Sequence, residues 1–242
     1  MQLVWKISAR DARRIEAFVR ERRRHPFVQL RIKRNIRKER PPVNIDRFWH
    51  AMWVGLLTTQ QKSGPGSSVR RFLRQKPFAL THRRCARTDS PEDLIRSTLT
   101  DFRGIRMADT IAERATENLC YLDEGGWKET LPQLRRLEGK HKLVTERRVA
   151  AHLASAFVGL GPKQSRNVLQ FMGLTRHEIP LDSRMTKWLN VFGFPLNLSA
   201  NALSDPSYYE FVSDGVQALC KRAGVYPCIL DAAVFSSFDE ED

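Results

Sequence analysis

Apolar residues along the chain recur mostly at intervals of three and four, which places them on one face of a helix. Ser8 precedes the first such run. Ile15, Phe18 and Val19 share one side and arginines the other, so a capped helix is expected to about Arg24. Residues 26–44 are ambiguous: Phe27-Val28-Gln29-Leu30-Arg31-Ile32 alternates as a strand does, and Pro41-Pro42 marks a break. Asp46 is placed to cap a strongly apolar helix through Trp49, Trp53 and Leu57, ending near Gln61. A turn follows at Ser63-Gly64-Pro65-Gly66, then a short basic helix to about Arg74 and a loop over 75–90.

Ser90-Pro91-Glu92-Asp93 combines a cap, a proline in the first turn and acids at the positive helix end. Further helices are expected from Ile105 to Leu122 and, past Gly125-Gly126, from Trp127 to Leu137. Thr145 is placed to cap a helix carrying Val149, Leu153, Ala156 and Phe157. Pro162 opens the next, Asp182 another, and two more cover about 206–222 and 227–236. There is no internal repeat and no convincing sheet. The fold class expected is all-α, with some ten to twelve short helices.

Charge changes the picture from a generic helical domain. The formal net charge is +14, and residues 1–47 carry fifteen Lys or Arg against five Asp or Glu, while Asp239 to Asp242 are all acidic. Such a surplus favours a polyanionic partner through attraction to phosphates and counterion release. No apolar stretch approaches the roughly 18–20 residues that span a bilayer, and Met1 to Lys6 does not lead into an uninterrupted apolar run. An intracellular protein with no membrane partner is expected. Cys85, Cys120, Cys220 and Cys228 form no C-x-x-C pair, and His82 near Cys85 sits in a basic run that would repel a cation. Reduced, partly buried thiols and no metal site are expected.

The segment from Phe157 to Leu169 carries the candidate chemistry. Gly159 and Gly161 frame a turn between two helices, permit unusual backbone angles and leave N–H groups bare. With the positive end of the following helix those groups form a seat for a phosphate; the same turn also serves in any plain helical hairpin. Lys163 lies in the first helical turn, where the dipole disfavours a cation. There, near Arg166, its pKa should fall, and a neutral amine is the nucleophile of Schiff-base chemistry. A simple phosphate contact is the other reading. Asp182, in Ile179-Pro180-Leu181-Asp182-Ser183-Arg184, is an evident helix N-cap that could also turn toward the hairpin.

The combination G-x-G-x-K followed by I-P-L-D-S-R resembles the helix-hairpin-helix, Gly/Pro-Asp superfamily of DNA glycosylases. The likeness covers about residues 45–195. It implies Lys163 as the nucleophile at C1′ of the damaged nucleotide and Asp182 as the group facing positive charge on the sugar. It also implies that the hairpin at Gly159 and Gly161 grips DNA backbone, that Gln60 fills the hole left by the extruded base, and that Arg184 touches phosphate. Phe102 to Ala108 resembles the start of a later barrel helix. Ile229 to Ser236 resembles the final helix of 8-oxoguanine DNA glycosylases, which implies Phe235 stacking on the base and Asp231 reading its edge. Core packing of Phe235 is the competing reading.

The resemblance further implies two helical lobes with the cleft between them: 46–165 as a six-helix barrel lobe ending in the hairpin, and 1–45 plus 166–242 as the second. The four closely spaced cysteines of iron–sulfur branches are missing, so no cluster and no cofactor are expected. The expected protein is a monomeric bifunctional DNA glycosylase and abasic-site lyase, found with the DNA and acting on duplexes that contain a damaged base, 8-oxoguanine favoured. The alternatives are a monofunctional glycosylase and a non-catalytic helix-hairpin-helix DNA-binding protein.

Overall fold

A computed structural model describes residues 4–64 and 66–239. Pro65 of the expected turn, the first three residues and the acidic Glu240 to Asp242 lie outside the described residues. Every regular element described is helical. The elements are α1 (Ala9–Arg22), α2 (Pro26–Arg31), α3 (Ile45–Leu57), α4 (Ser68–Leu73), α5 (His82–Cys85), α6 (Pro91–Asp101) and α7 (Ala108–Tyr121). They continue with α8 (Trp127–Arg135), α9 (Leu143–Ala156), α10 (Pro162–Phe171), α11 (Ser183–Phe192), α12 (Pro206–Arg222) and α13 (Pro227–Asp239). The all-α class expected from periodicity is what the chain adopts.

Two separate cores account for these helices. The first runs from Val43 to Leu174 and is built around α3, where Phe48, Trp49, Met52, Trp53, Leu56 and Leu57 are all buried. Each such side chain contributes roughly 1.5–3 kcal/mol on leaving water. α10 packs closely on α3 because Gly55 has no side chain: a Cβ there would stand 2.6 Å from Leu160 and 3.1 Å from Val168. The second core joins the two ends of the chain, with Ile15, Val19 and Val28 meeting Tyr209, Val212, Val216, Leu230 and Val234. The first core therefore continues through α10, beyond residue 165.

Residues 26–44 form no strand. Pro26 opens α2, the His25 ring accepts the Phe27 N–H at 3.2 Å, and a π-helical turn continues over Ile32–Ile36. The cations of this stretch, with Arg47 of α3, reach inward to helix ends. Arg31 donates to the Gln170 carbonyl at 3.0 Å, Arg34 to that of Phe171 and Arg47 to that of Met172, all at the end of α10. Arg40 donates to Leu137 O at 3.3 Å, and Lys38 to Gly139 O, beyond α8. These carbonyls stand at or just beyond the negative ends of helix dipoles, which cations complement; Gln170 O also accepts the Gly173 N–H at 3.0 Å.

Other boundaries moved slightly. Asn44, not Asp46, caps α3, its side chain accepting the Arg47 N–H. α9 begins at Leu143, ahead of Thr145. A short helix, α5, interrupts the loop expected over 75–90. Among the described residues no helix is long and apolar enough to cross a membrane. Cys85, Cys220 and Cys228 are buried and Cys120 is exposed, all four free.

Candidate active site

A cleft of about 1210 Å³ is lined by residues of both cores. Lys163, Asn167, Gln170 and Phe171 of α10 form one wall, and Arg31, Arg34 and Asn35 another. Asp182 and Arg184 enter from the start of α11, Asp231 and Phe235 from α13, and Gln60 from the loop after α3. Six of the eight residues singled out in the sequence thus share one cavity. Gly159 and Gly161 are outside its lining, in the turn that leads into α10.

The hairpin turn between α9 and α10 is held by a residue the motif does not contain. Asn118 of α7, almost wholly buried, donates to Val158 O at 3.0 Å and accepts the Val158 N–H at 2.8 Å. Gly159 has a φ of +82°, and a Cβ there would lie 2.8 Å from Leu56. Glycine is required at this position. Gly161 differs from expectation: its φ is −60° and nothing lies within 4 Å of a Cβ, so the backbone does not demand glycine there. Among the described residues, no hydrogen bond uses the N–H of Gly159 or Gly161.

Lys163 is half-buried in the first turn of α10. Burial pushes its ammonium below the ordinary lysine range; Asp182 opposes that shift and Arg184 adds to it. Arg166, expected to assist, is occupied elsewhere: it is buried and donates to Glu178 and, at 2.9 Å, to Pro162 O. Asp182 is the N-cap of α11, and a single oxygen does that work. Oδ1 accepts the N–H groups of Arg184 and Met185, each at 3.0 Å. Among the described residues nothing is hydrogen-bonded to Oδ2, so the cap leaves half of the carboxylate uncommitted.

On the far side of the cleft, Asp231 is buried with its Oδ2 3.5 Å from Arg31. Burial pushes its carboxyl up to about 7, against Arg31, which pulls it down. Phe235 has two close neighbours. Phe27 stacks on it with centroids 4.6 Å apart, and the Arg184 guanidinium stands 4.2 Å over its ring. Phe235 is thus held by an aromatic ring and a guanidinium together. Core packing, the competing reading for Phe235, does not describe it either, since it lines the cleft and is only partly buried.

Gln60 is exposed with a φ of +54° at the cleft edge. Its neighbours tie this loop to α10: Gln164 donates to Thr59 at 2.7 Å and Asn167 to Thr58 at 3.0 Å. Gln61 accepts the Arg106 N–H at 3.0 Å. These ties, and the inward arginines of α2, escaped the sequence reading because they join residues more than 40 positions apart.

No family model matches the chain, and no curated protein matches it in sequence. Among solved structures, the 8-oxoguanine DNA glycosylase of Methanocaldococcus jannaschii matches with a TM-score of 0.67. The match covers 93% of this chain and 91% of that one at 12% identity. At such identity the likeness is one of fold: this chain shares the all-helical fold of that glycosylase.

Proposed function

We propose that this chain is a DNA glycosylase that removes an oxidised base, 8-oxoguanine before others, and cleaves the resulting abasic site. The observation that carries this reading is Lys163, a lysine depressed by burial and set in a cleft opposite a carboxylate with one uncommitted oxygen. The target base must leave the stack to be reached. The cleft exceeds the roughly 300–1,000 Å³ of small-molecule pockets and has room for an extruded nucleotide.

The neutral Lys163 amine attacks C1′ as the glycosidic C–N bond breaks. The bonding pair departs with the base, which takes up a proton, while the new C1′–N bond leaves the lysine nitrogen positive until it sheds one. The Asp182 carboxylate faces the positive charge that develops on the sugar. Opening of the sugar ring gives the Schiff base. Loss of a C2′ proton then expels the 3′ phosphate with its bonding pair. Neither a metal nor an organic cofactor is needed.

The N–H groups of Gly159 and Gly161 seat a phosphate of duplex DNA, and Gln60 fills the space the base vacates. Phe235 offers a stacking face once Arg184 leaves it for a phosphate, where its guanidinium gains a charged partner. Asp231, titrating near neutrality, reads the base edge as donor or acceptor. The protein acts as a monomer, with the DNA.

Borohydride trapping on a duplex with one 8-oxoguanine tests this. Wild type is expected to form a covalent adduct; Lys163→Gln is expected to form none while still binding DNA. Base release without an adduct would reassign the protein to the monofunctional class, and neither activity would leave a DNA-binding module.

A further inference from the structure

The segment between α10 and α11 determines where Asp182 stands, and two buried side chains hold it from opposite cores. From α9, Glu146 accepts the N–H groups of Arg176, His177 and Glu178 at 2.8–3.0 Å. From α12, the fully buried Tyr209 donates its hydroxyl to Ile179 O at 2.8 Å and accepts the Leu181 N–H at 2.7 Å. Leu181 immediately precedes Asp182. Behind the Tyr209 ring, the Arg166 guanidinium lies 4.5 Å from its centroid and pairs with buried Glu178. Arg166 stands one turn after Lys163 on α10 and also binds Pro162 O, the carbonyl just before it. An unbroken set of contacts therefore runs from the helix turn of Lys163 to Asp182.

We propose that Tyr209 is a positioning residue: its hydroxyl, with the Arg166–Glu178 pair behind its ring, holds the Ile179–Leu181 backbone so that the Asp182 carboxylate stands against Lys163. A tyrosine is suited to this because one hydroxyl both donates and accepts, and so satisfies two buried backbone groups that face one point. Its ring gives Arg166 a flat surface, and the guanidinium ties that surface to α10. The proposal rests on reading Lys163 and Asp182 as nucleophile and counter-charge.

Tyr209→Phe keeps the ring and removes only the hydroxyl. The first measurement needs no DNA: the pH at which the Lys163 amine becomes reactive toward an acylating reagent, followed by mass spectrometry. The charges acting on that amine are Asp182 and Arg184 at the start of α11; the cleft it lines also holds Asp231, the cations Arg31, Arg34, Lys62, Arg70, Arg74 and Arg106, and the imidazoles of His25 and His50. Only the placement of Asp182 and its neighbour is altered by the variant. Loss of the carboxylate's proximity makes the amine easier to deprotonate, so reactivity is expected to begin at lower pH, in the direction of Asp182→Asn and by less. The second is single-turnover base release at saturating DNA, expected to fall roughly 10- to 100-fold, the order of loss for a misplaced reacting group, with DNA affinity unchanged.

Should Tyr209→Phe fail to fold, Arg147→Met provides the test. It removes the 3.1 Å partner on the other oxygen of Glu178, outside the cleft, and is expected to shift both readouts the same way by less. A folded variant with the wild-type labelling profile and wild-type turnover overturns the proposal. A labelling shift in a protein that releases no base from any lesion supports the brace and overturns the glycosylase reading instead.

Discussion

Asp182→Asn separates the two roles that meet in one side chain. Both capping bonds go to Oδ1, at 3.0 Å each, and an asparagine Oδ1 accepts the same two N–H groups. Asn and Asp cap about equally well, within roughly 0.5 kcal/mol. The lost charge also removes about 0.3–1 kcal/mol of interaction with the α11 dipole. At about 2–4 °C per kcal/mol for a domain this size, the melting temperature should fall by no more than a few degrees. The chemistry should suffer far more. Removing a preorganised electrostatic partner of the transition state costs on the order of 10²- to 10³-fold in rate. A second signature has a fixed sign. Asp182 raises the Lys163 pKa, so without it the amine deprotonates more readily. The acid limb of the pH–rate profile should therefore move to lower pH while the plateau drops. Single-turnover release of 8-oxoguanine from pH 5 to 9, beside calorimetry, measures both. A folded variant within about threefold of wild type, or a limb that moves upward, would refute the assigned pairing of Asp182 with Lys163.

The two hairpin glycines should respond differently. Gly159→Ala forces a left-handed alanine, costing about 1–2 kcal/mol, and drives a Cβ against Leu56. Gly161→Ala meets nothing and should leave the melting temperature unchanged, yet weaken DNA binding by crowding the N–H groups; normal affinity would remove that seat from the site. Asp231 predicts a stability slope. Its folded pKa near 7 lies above its ordinary 3.8, so the folded state holds the proton more tightly. Its contribution is fully present below about pH 4 and is lost as pH rises toward 7, by at most about 4 kcal/mol. Asp231→Asn should flatten thermal stability across that window, and an unchanged slope would place the titration elsewhere.

The helices were legible where an apolar stripe and a capping residue agreed, as at Ser8 in α1 and Asp182 in α11. The turn ahead of Lys163 was legible because one short segment contains it. What the sequence could not convey lies in contacts between distant segments. The alternation in 26–44 reads as a strand because nothing local reveals that its arginines reach carbonyls at the end of α10. Asn118 carries no motif, yet it clamps the hairpin from 40 residues away. Arg166, three residues after Lys163, points to Glu178. The aromatic and cationic neighbours that cover Phe235 come from α2 and α11, which no pattern within α13 announces.

The inward arginines divide the protein's response to ionic strength. A guanidinium fixed on a helix-end carbonyl keeps its charge but is not free to follow a phosphate, so the formal +14 overstates the number of cations a nucleic acid can freely engage. The slope of binding against salt counts phosphate contacts and should reflect only the cations that remain outward. Charge–carbonyl contacts sheltered from solvent are screened much less than exposed ones. Added salt should therefore release a polyanion long before it loosens the seam where α2, its π-helical turn and the residues just after it grip the ends of α8 and α10. The same residue type sets a salt-sensitive surface and a salt-resistant joint within the first fifty positions of one chain.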